Sequence, residues 1–177
     1  MPLLILVRHS QPIIDPSTPS ERWALSDEGR VATARLADAL AAYAPARLLC
    51  GAEPKMQGTA DVLSERLGLP VTALSGLSEH TRRTTKFTDI ATFEAAIRDL
   101  FERPSEIVYG EESADMTHAR FSAALGTVAE PTIAVSGGTA ISIFLSRRTG
   151  VDAFVTWKRL RLPMAFVLDG AEILREI

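Results

Sequence analysis

Short apolar runs alternate along this chain with stretches in which apolar residues return every three or four positions. "LLILV" (Leu3 to Val7) is bounded by polar residues and predicts a strand covered on both faces. The stretch after it, "QPIIDPSTPSERWAL", is rich in Pro and Ser and too long for a plain connection, so it reads as a loop that rims a site. Ser26, followed by Asp27 and Glu28, supplies a helix cap and an acidic first turn. Beyond it Ala32, Leu36, Ala39, Leu40 and Tyr43 fall on one helical face.

A second unit repeats the plan. "ARLLC" (Ala46 to Cys50) reads as a strand, and Pro54 suits the first turn of the next helix. Met56, Ala60, Leu63 and Leu67 form the buried stripe of that helix, and Gly68 ends it. "PVTAL" (Pro70 to Leu74) predicts a short strand. Helical spacing runs from Asp89 to Glu102 and again from Ser113 to Val128. "TIAVS" (Thr132 to Ser136) is a clear strand, and "GGTAISIFLSRRTG" is a helix opened and closed by glycine. A short helix near Asp152 to Leu160 and two strands, "MAFVL" and "EILREI", complete the pattern. Strands alternating with helices predict an α/β fold: a three-layer sandwich, a mostly parallel sheet with helices on both faces, as one domain over 1–177.

Composition narrows the function classes. The chain has 177 residues, 46% hydrophobic and 23% charged, ordinary for a soluble domain with a real core. A formal net charge of −3 gives no basic excess to attract nucleic acid, so any anion site must be local. One cysteine, Cys50, excludes an internal disulfide, and three scattered histidines lack paired ligand spacing; no metal or cofactor is expected. No apolar stretch approaches the roughly 18 residues of a membrane span, and the N-terminal run lacks a signal segment's basic flank. The expectation is a cytoplasmic protein without membrane partners. Oligomeric state leaves no mark in the sequence.

Three places follow a predicted parallel strand: Arg8-His9, Glu53 to Lys55, and Ser136 to Thr139. Strand ends of one parallel sheet lie side by side, so these groups can converge. Together they offer a guanidinium, an imidazole, an ammonium and the free N–H groups of a glycine-opened helix, each suited to a phosphate. An imidazole among them can accept a phosphoryl group as a nucleophile. The same histidine can also be read as a structural residue at a strand end. No G-x-x-x-x-G-K-[ST] stretch supports a nucleotide P-loop.

The wording of the motifs is more specific. "LVRHSQP", "LSDEGRVATARLADAL", "EPKMQGTADVL", "LSEHTR", "YGEESADMTHARF" and "IAVSGGTAISIF" occur in this order and resemble the histidine phosphatase superfamily, the phosphoglycerate mutase-like fold. The resemblance implies that His9 becomes a phosphohistidine, that Arg8 binds the transferred phosphoryl group, and that Glu79 protonates the leaving oxygen. It also implies metal-free chemistry on a small phosphorylated substrate. An acid at Glu79 calls for a raised pKa. Glu79 can instead be read as a loop carboxylate paired with Arg82 or Arg83. His80 and His118 read as non-catalytic, and Gly110-Glu111-Glu112-Ser113 as a loop and helix cap.

Two departures from the family pattern bear on activity. Lys55 stands where the family usually has a second phosphate-binding arginine, which keeps the charge and loses the bidentate fork. Ser136-Gly137-Gly138 stands where it usually has Ser-His-Gly, so a second catalytic histidine is expected to be replaced by Gly137. Losing a preorganised donor typically costs ~10²–10³ in rate. Ser136, Gly137 and Gly138 are then expected to bind phosphate through the helix start. The sequence thus leaves two readings: a phosphomonoesterase of reduced activity, or an impaired relative that binds a phosphorylated ligand or a protein partner. A mutase is the weaker option at this length. Trp23 and Phe87 are candidate substrate contacts, and can equally be read as core-capping aromatics.

Overall fold

The computed structural model describes residues 1–86 and 88–177; the candidate contact Phe87 lies outside the described residues. One six-stranded sheet organises the chain: β1 (Leu4–Arg8), β2 (Arg47–Cys50), β3 (Val71–Ala73), β4 (Thr132–Ser136), β5 (Met164–Asp169) and β6 (Glu172–Glu176). Their order is β3-β2-β4-β1-β5-β6. The four strands from β3 to β1 run parallel, and the terminal hairpin adds β5 antiparallel to β1, with β6 antiparallel to β5. The sheet is mostly parallel, as the sequence predicts.

Alternation along the central strands sends side chains to two separate cores. Leu4 and Leu6 of β1 join Ala134 and Phe166 on one face, against Phe121 and Leu125 of α4 (Ala114–Leu125) and Ile141, Phe144 and Leu145 of α5 (Gly138–Thr149). Ile5 and Val7 join Ile133 and Val135 on the other, against α1 (Asp27–Leu40) and α2 (Pro54–Leu67). A side cluster packs α3 (Ile90–Glu102) against α6 (Ala153–Arg159) through Phe93, Ile97, Phe154 and Trp157. Among the described residues no helix is long and apolar enough to cross a membrane.

The helix ends follow the local chemistry. Ser26 caps α1 by accepting the Gly29 N–H, and its own hydroxyl donates to the Gln11 carbonyl. Asp89, Ser113 and Asp152 cap α3, α4 and α6 in the same way. Two expectations shift. Ala37 rather than Ala39 is buried in α1, because the helix turns Thr33, Leu36, Ala37 and Leu40 to the sheet and leaves Ala39 in solvent. The helix expected to reach Val128 ends at Leu125, where Gly126 takes a positive φ of 58°.

Candidate active site

β1, β2 and β4 end on the same edge of the sheet, and a cavity of about 680 Å³ opens there. Arg8, His9, Lys55, Glu79 and Arg82 line its charged part. His9 follows β1 directly, its backbone N–H tied to the Ser136 carbonyl of β4 at 3.0 Å. That bond fixes where the ring begins.

The His9 ring is 7% exposed and in a single tautomer. Its Nδ1–H donates to the Ser10 carbonyl at 2.8 Å, which leaves the Nε2 lone pair uncommitted. Burial, reinforced by the Lys55 and Arg8 charges, lowers its pKa to about 3 against the opposing pull of the Ser10 carbonyl and Glu79. The imidazole is therefore neutral at physiological pH and able to attack an electrophile.

Two cations stand beside it. Arg8 donates one N–H to the Leu160 carbonyl at 2.9 Å, and its Nε is buried without a protein partner. Lys55 is 4% exposed at the start of α2. Its ammonium meets Glu53 Oε2 at 2.6 Å and donates to the Ser20 carbonyl. The Trp23 ring lies 6.0 Å from it. Glu53 also accepts the Glu79 N–H through Oε1 at 2.8 Å, so one buried carboxylate links Lys55 to the Glu79 segment.

Glu79 is held by backbone N–H groups from two elements. Oε1 accepts the His80 and Ala140 N–H groups, each at 2.8 Å, and Oε2 accepts the Thr139 N–H at 3.0 Å. Arg82 Nη2 lies 4.0 Å from Oε2. Burial pushes the Glu79 pKa up, but Arg82 and the three amides together outweigh it and hold the carboxyl well below the usual range. The direction is opposite to the raised pKa expected of an acid, and the pairing with Arg82 is present. The Arg82 charge comes first among the lowering causes, and the positive end of α5, which Glu79 caps from a distant loop, adds to it.

The same contact explains the glycine at 137. A β-carbon there would stand 2.4 Å from both Cδ and Oε2 of Glu79. A histidine at 137, the residue the resemblance leads one to expect, cannot coexist with Glu79 in this position. At Gly138 a β-carbon would press on Arg8 Nε at 3.0 Å, so its bareness lets the helix approach the guanidinium. Ser136 donates its hydroxyl to the Leu77 carbonyl on the α4–α5 side of the sheet. Of the expected residues, Arg8, His9, Lys55, Glu79 and Trp23 surround the cavity, whereas Ser136, Gly137 and Gly138 do not line it.

Behind the site, Arg120 of α4 donates to the carbonyls of Gly76, Ser78 and Glu79 and pairs with Glu112 at 2.6 Å. Glu112 also accepts the Thr81 N–H, and Glu111 accepts those of Arg83 and Thr84. The Gly110 to Ser113 stretch therefore braces the loop that carries Glu79 and Arg82. His80 donates its Nε2–H to the Glu112 carbonyl and stacks on Tyr109, and His118 stacks on Phe144. Neither lines the cavity. Among the described residues no cluster of three or more His, Cys, Asp or Glu is placed to hold a metal ion.

The sequence places Glu53 at a strand end without assigning it a role, and gives no sign that Phe93 and Tyr109 line the cavity. Glu53 carried a signal, since it follows a strand and precedes Lys55 by two residues. The two aromatics reach the cavity only through the packing of α3, which no local pattern announces.

Solved structures share this fold. The chain is similar in fold to a mycobacterial glucosyl-3-phosphoglycerate phosphatase in complex with inorganic phosphate, at 21% identity and a TM-score of 0.73, with 100% of this chain and 95% of that chain covered. It is similar also to the alpha-ribazole phosphatase from Shigella flexneri, at 17% identity and a TM-score of 0.70, covering 98% and 94%. No curated protein sequence matches. The family model "Histidine phosphatase superfamily (branch 1)" matches residues 4–166. With nearly its whole length matched, this chain belongs to the histidine phosphatase superfamily.

Proposed function

We propose that the protein is a phosphomonoester hydrolase that works through a phosphohistidine on His9. The observation that carries this reading is the His9 ring: neutral, held by Nδ1–H to the Ser10 carbonyl, and lining a cavity beside Arg8 and Lys55. In the first step the Nε2 lone pair forms a bond to phosphorus and the ester P–O bond breaks. The leaving oxygen takes the bond's electron pair. In the second step water attacks phosphorus, the N–P bond breaks, and its electron pair returns to Nε2. Inorganic phosphate leaves with the proton that water supplied.

Phosphoryl transfer asks mainly for position and for charge stabilisation on the equatorial oxygens. Arg8 supplies a guanidinium with its Nε already turned away from solvent. Lys55 acts as a point charge, since Glu53 and Ser20 hold it and one ammonium N–H remains for an anion. Arg82 adds a third cation at the cavity wall. Glu79 in this reading is an ionised brace that orients Arg82 and closes the start of α5.

The test is turnover of para-nitrophenyl phosphate by the purified protein, together with trapping of an acid-labile phosphoryl group after rapid quench. His9→Ala is expected to abolish both. Turnover unaffected by that change, or binding of phosphate with no turnover by the unmodified protein, would overturn the reading. The latter result would favour an impaired, ligand-binding relative.

A further inference from the structure

The start of α5 offers the cavity no donor side chain of its own. Gly137 and Gly138 are bare, and the Thr139 and Ala140 amides are occupied by Glu79. Groups from other elements converge there instead. The His9 N–H is tied to the Ser136 carbonyl. Arg8 lies against Gly138, where a β-carbon would stand 3.0 Å from its Nε. Arg82 reaches the next residue, donating from Nη1 to Thr139 Oγ1 at 3.5 Å. Two guanidinium groups thus flank the nucleophile at one helix start, and all three residues line the cavity.

The charges around them leave room for an anion. Burial lowers the Arg8 pKa, the Glu79 charge opposes that shift, and the Arg82 charge adds to it. Glu79 does not satisfy the pair, because its oxygens already accept the His80, Thr139 and Ala140 N–H groups. Arg82 Nη2 stays 4.0 Å from Oε2, beyond hydrogen-bond reach. Among the described residues Thr139 is the one acceptor for the Arg82 guanidinium, and its bond is long. The neighbouring Arg83 is engaged by Glu21 at 2.9 Å. Most of the Arg82 fork therefore remains for a ligand.

The fork is also held in place. Glu112 accepts the Thr81 N–H, and Glu111 accepts those of Arg83 and Thr84, so the backbone is fixed on both sides of Arg82. Gly110, with φ 70°, lets this loop pack closely, since a β-carbon there would collide with the Thr81 carbonyl oxygen and stand 3.0 Å from Arg82 Cα. The Phe93 ring backs the guanidinium at 5.3 Å.

We propose that Arg82 is a catalytic residue of this site, its guanidinium binding the equatorial phosphoryl oxygens during transfer in place of the donor that the bare start of α5 lacks. This rests on the proposed hydrolase reading and assigns a further residue within it. The phosphoryl group in flight between His9 and the leaving oxygen spreads its charge over its equatorial oxygens, and a planar fork from Arg82 complements the one from Arg8.

The experiment uses para-nitrophenyl phosphate and the purified protein. Arg82→Ala should lower kcat and kcat/KM together by about 10²–10³-fold, as for one preorganised donor lost from a transition state. Arg82→Lys should recover only a minor part of that loss, since it keeps the charge without the fork. Added guanidinium ion should partly restore kcat in Arg82→Ala, ethylammonium should do so less, and neither should speed the unmodified protein. Inhibition by orthovanadate, which resembles the transferring group, should weaken in Arg82→Ala far more than inhibition by inorganic phosphate. A kcat within about threefold of the unmodified protein, full recovery by Arg82→Lys, equal weakening of both anions, or a loss that guanidinium cannot relieve and that comes with a lowered unfolding midpoint would overturn the proposal, while His9-dependent turnover still upheld the hydrolase reading. Absence of turnover in the unmodified protein, with no phosphoryl group on His9, would remove both.

Discussion

The carboxylate of Glu79 fills the volume that a side chain on Gly137 would need, with a β-carbon at 137 only 2.4 Å from Glu79 Cδ. The backbone at Gly137 is extended, with φ −92° and ψ 160°, so the glycine answers to this neighbour and not to a strained turn. Two positions nearly 60 residues apart thus share one space.

A coupling experiment follows. Gly137→Ala should expel Glu79 from the Thr139 and Ala140 amides and cost about 1–3 kcal/mol, the penalty of leaving buried donors without acceptors. Glu79→Ala removes the same bonds and should cost a similar amount. The double variant should be less destabilised than the sum, because the second change finds the bonds already gone. Urea unfolding of the four proteins reads this directly; strict additivity would show that the two residues do not compete. Gly137→His, in the same logic, should lower stability and not restore an activity.

Lys55 and Glu53 form a buried ion pair in which each partner depends on the other. Lys55→Met should cost about 3–5 kcal/mol, since it leaves the Glu53 carboxylate buried without its counterion. Adding Glu53→Gln should recover most of that loss, because the amide oxygen can still accept the Glu79 N–H. If the lysine acted only on ligand, Lys55→Met would weaken phosphate binding at unchanged stability. Thermal unfolding with and without phosphate separates the two outcomes.

Arg120 tests how far positioning extends behind the site. Its guanidinium holds three loop carbonyls, those of Gly76, Ser78 and Glu79, and also Glu112. Arg120→Lys keeps the charge but cannot fork to all of them. It should lower kcat with little change in KM, as expected of a group that sets the Glu79 loop without touching substrate. Arg120→Met should in addition destabilise the fold by about 3 kcal/mol or more through the stranded Glu112. A purely structural arginine would shift the unfolding midpoint in both variants and leave kcat untouched.

The strands and the residues at their ends were legible because they depend on short-range pattern. "LLILV" and "TIAVS" alternate only two kinds of environment, both buried, and Arg8-His9 follows from the point where the apolar run stops. The state of Glu79 was not legible. Burial alone argues for a raised pKa, and the opposite outcome comes from amides of α5 some 60 positions along the chain. Ser136 was misplaced for a related reason. Its hydroxyl turns to Leu77, whose position is set by a loop packed under α4, and strand register alone does not reveal that. The aromatic wall is legible least of all, since Phe93 and Tyr109 come together through the docking of α3.

The pH dependence of stability follows from the same two buried groups. The His9 pKa falls from 6.5 in an unstructured chain to about 3 in the fold, chiefly by burial. The unfolded chain therefore binds a proton that the fold refuses, so this contribution is fully present above pH 6.5 and is lost as the pH falls toward about 3. His80 and His118 shift in the same direction, also chiefly by burial. Glu79, lowered by Arg82 and the amides in spite of its burial, adds a further loss once the pH drops below 4.5. Unfolding free energy should thus decline on acidification before the carboxylates begin to titrate. His9→Asn should flatten that decline by about 1.4 kcal/mol per pH unit, the share of one proton. The matching signal is NMR: the His9 ring resonance should stay unshifted between about pH 7 and pH 5 while an exposed histidine titrates there. A His9 resonance that moved with a midpoint near 6.5 would mean that the ring is solvated, and the neutral nucleophile would lose its physical basis.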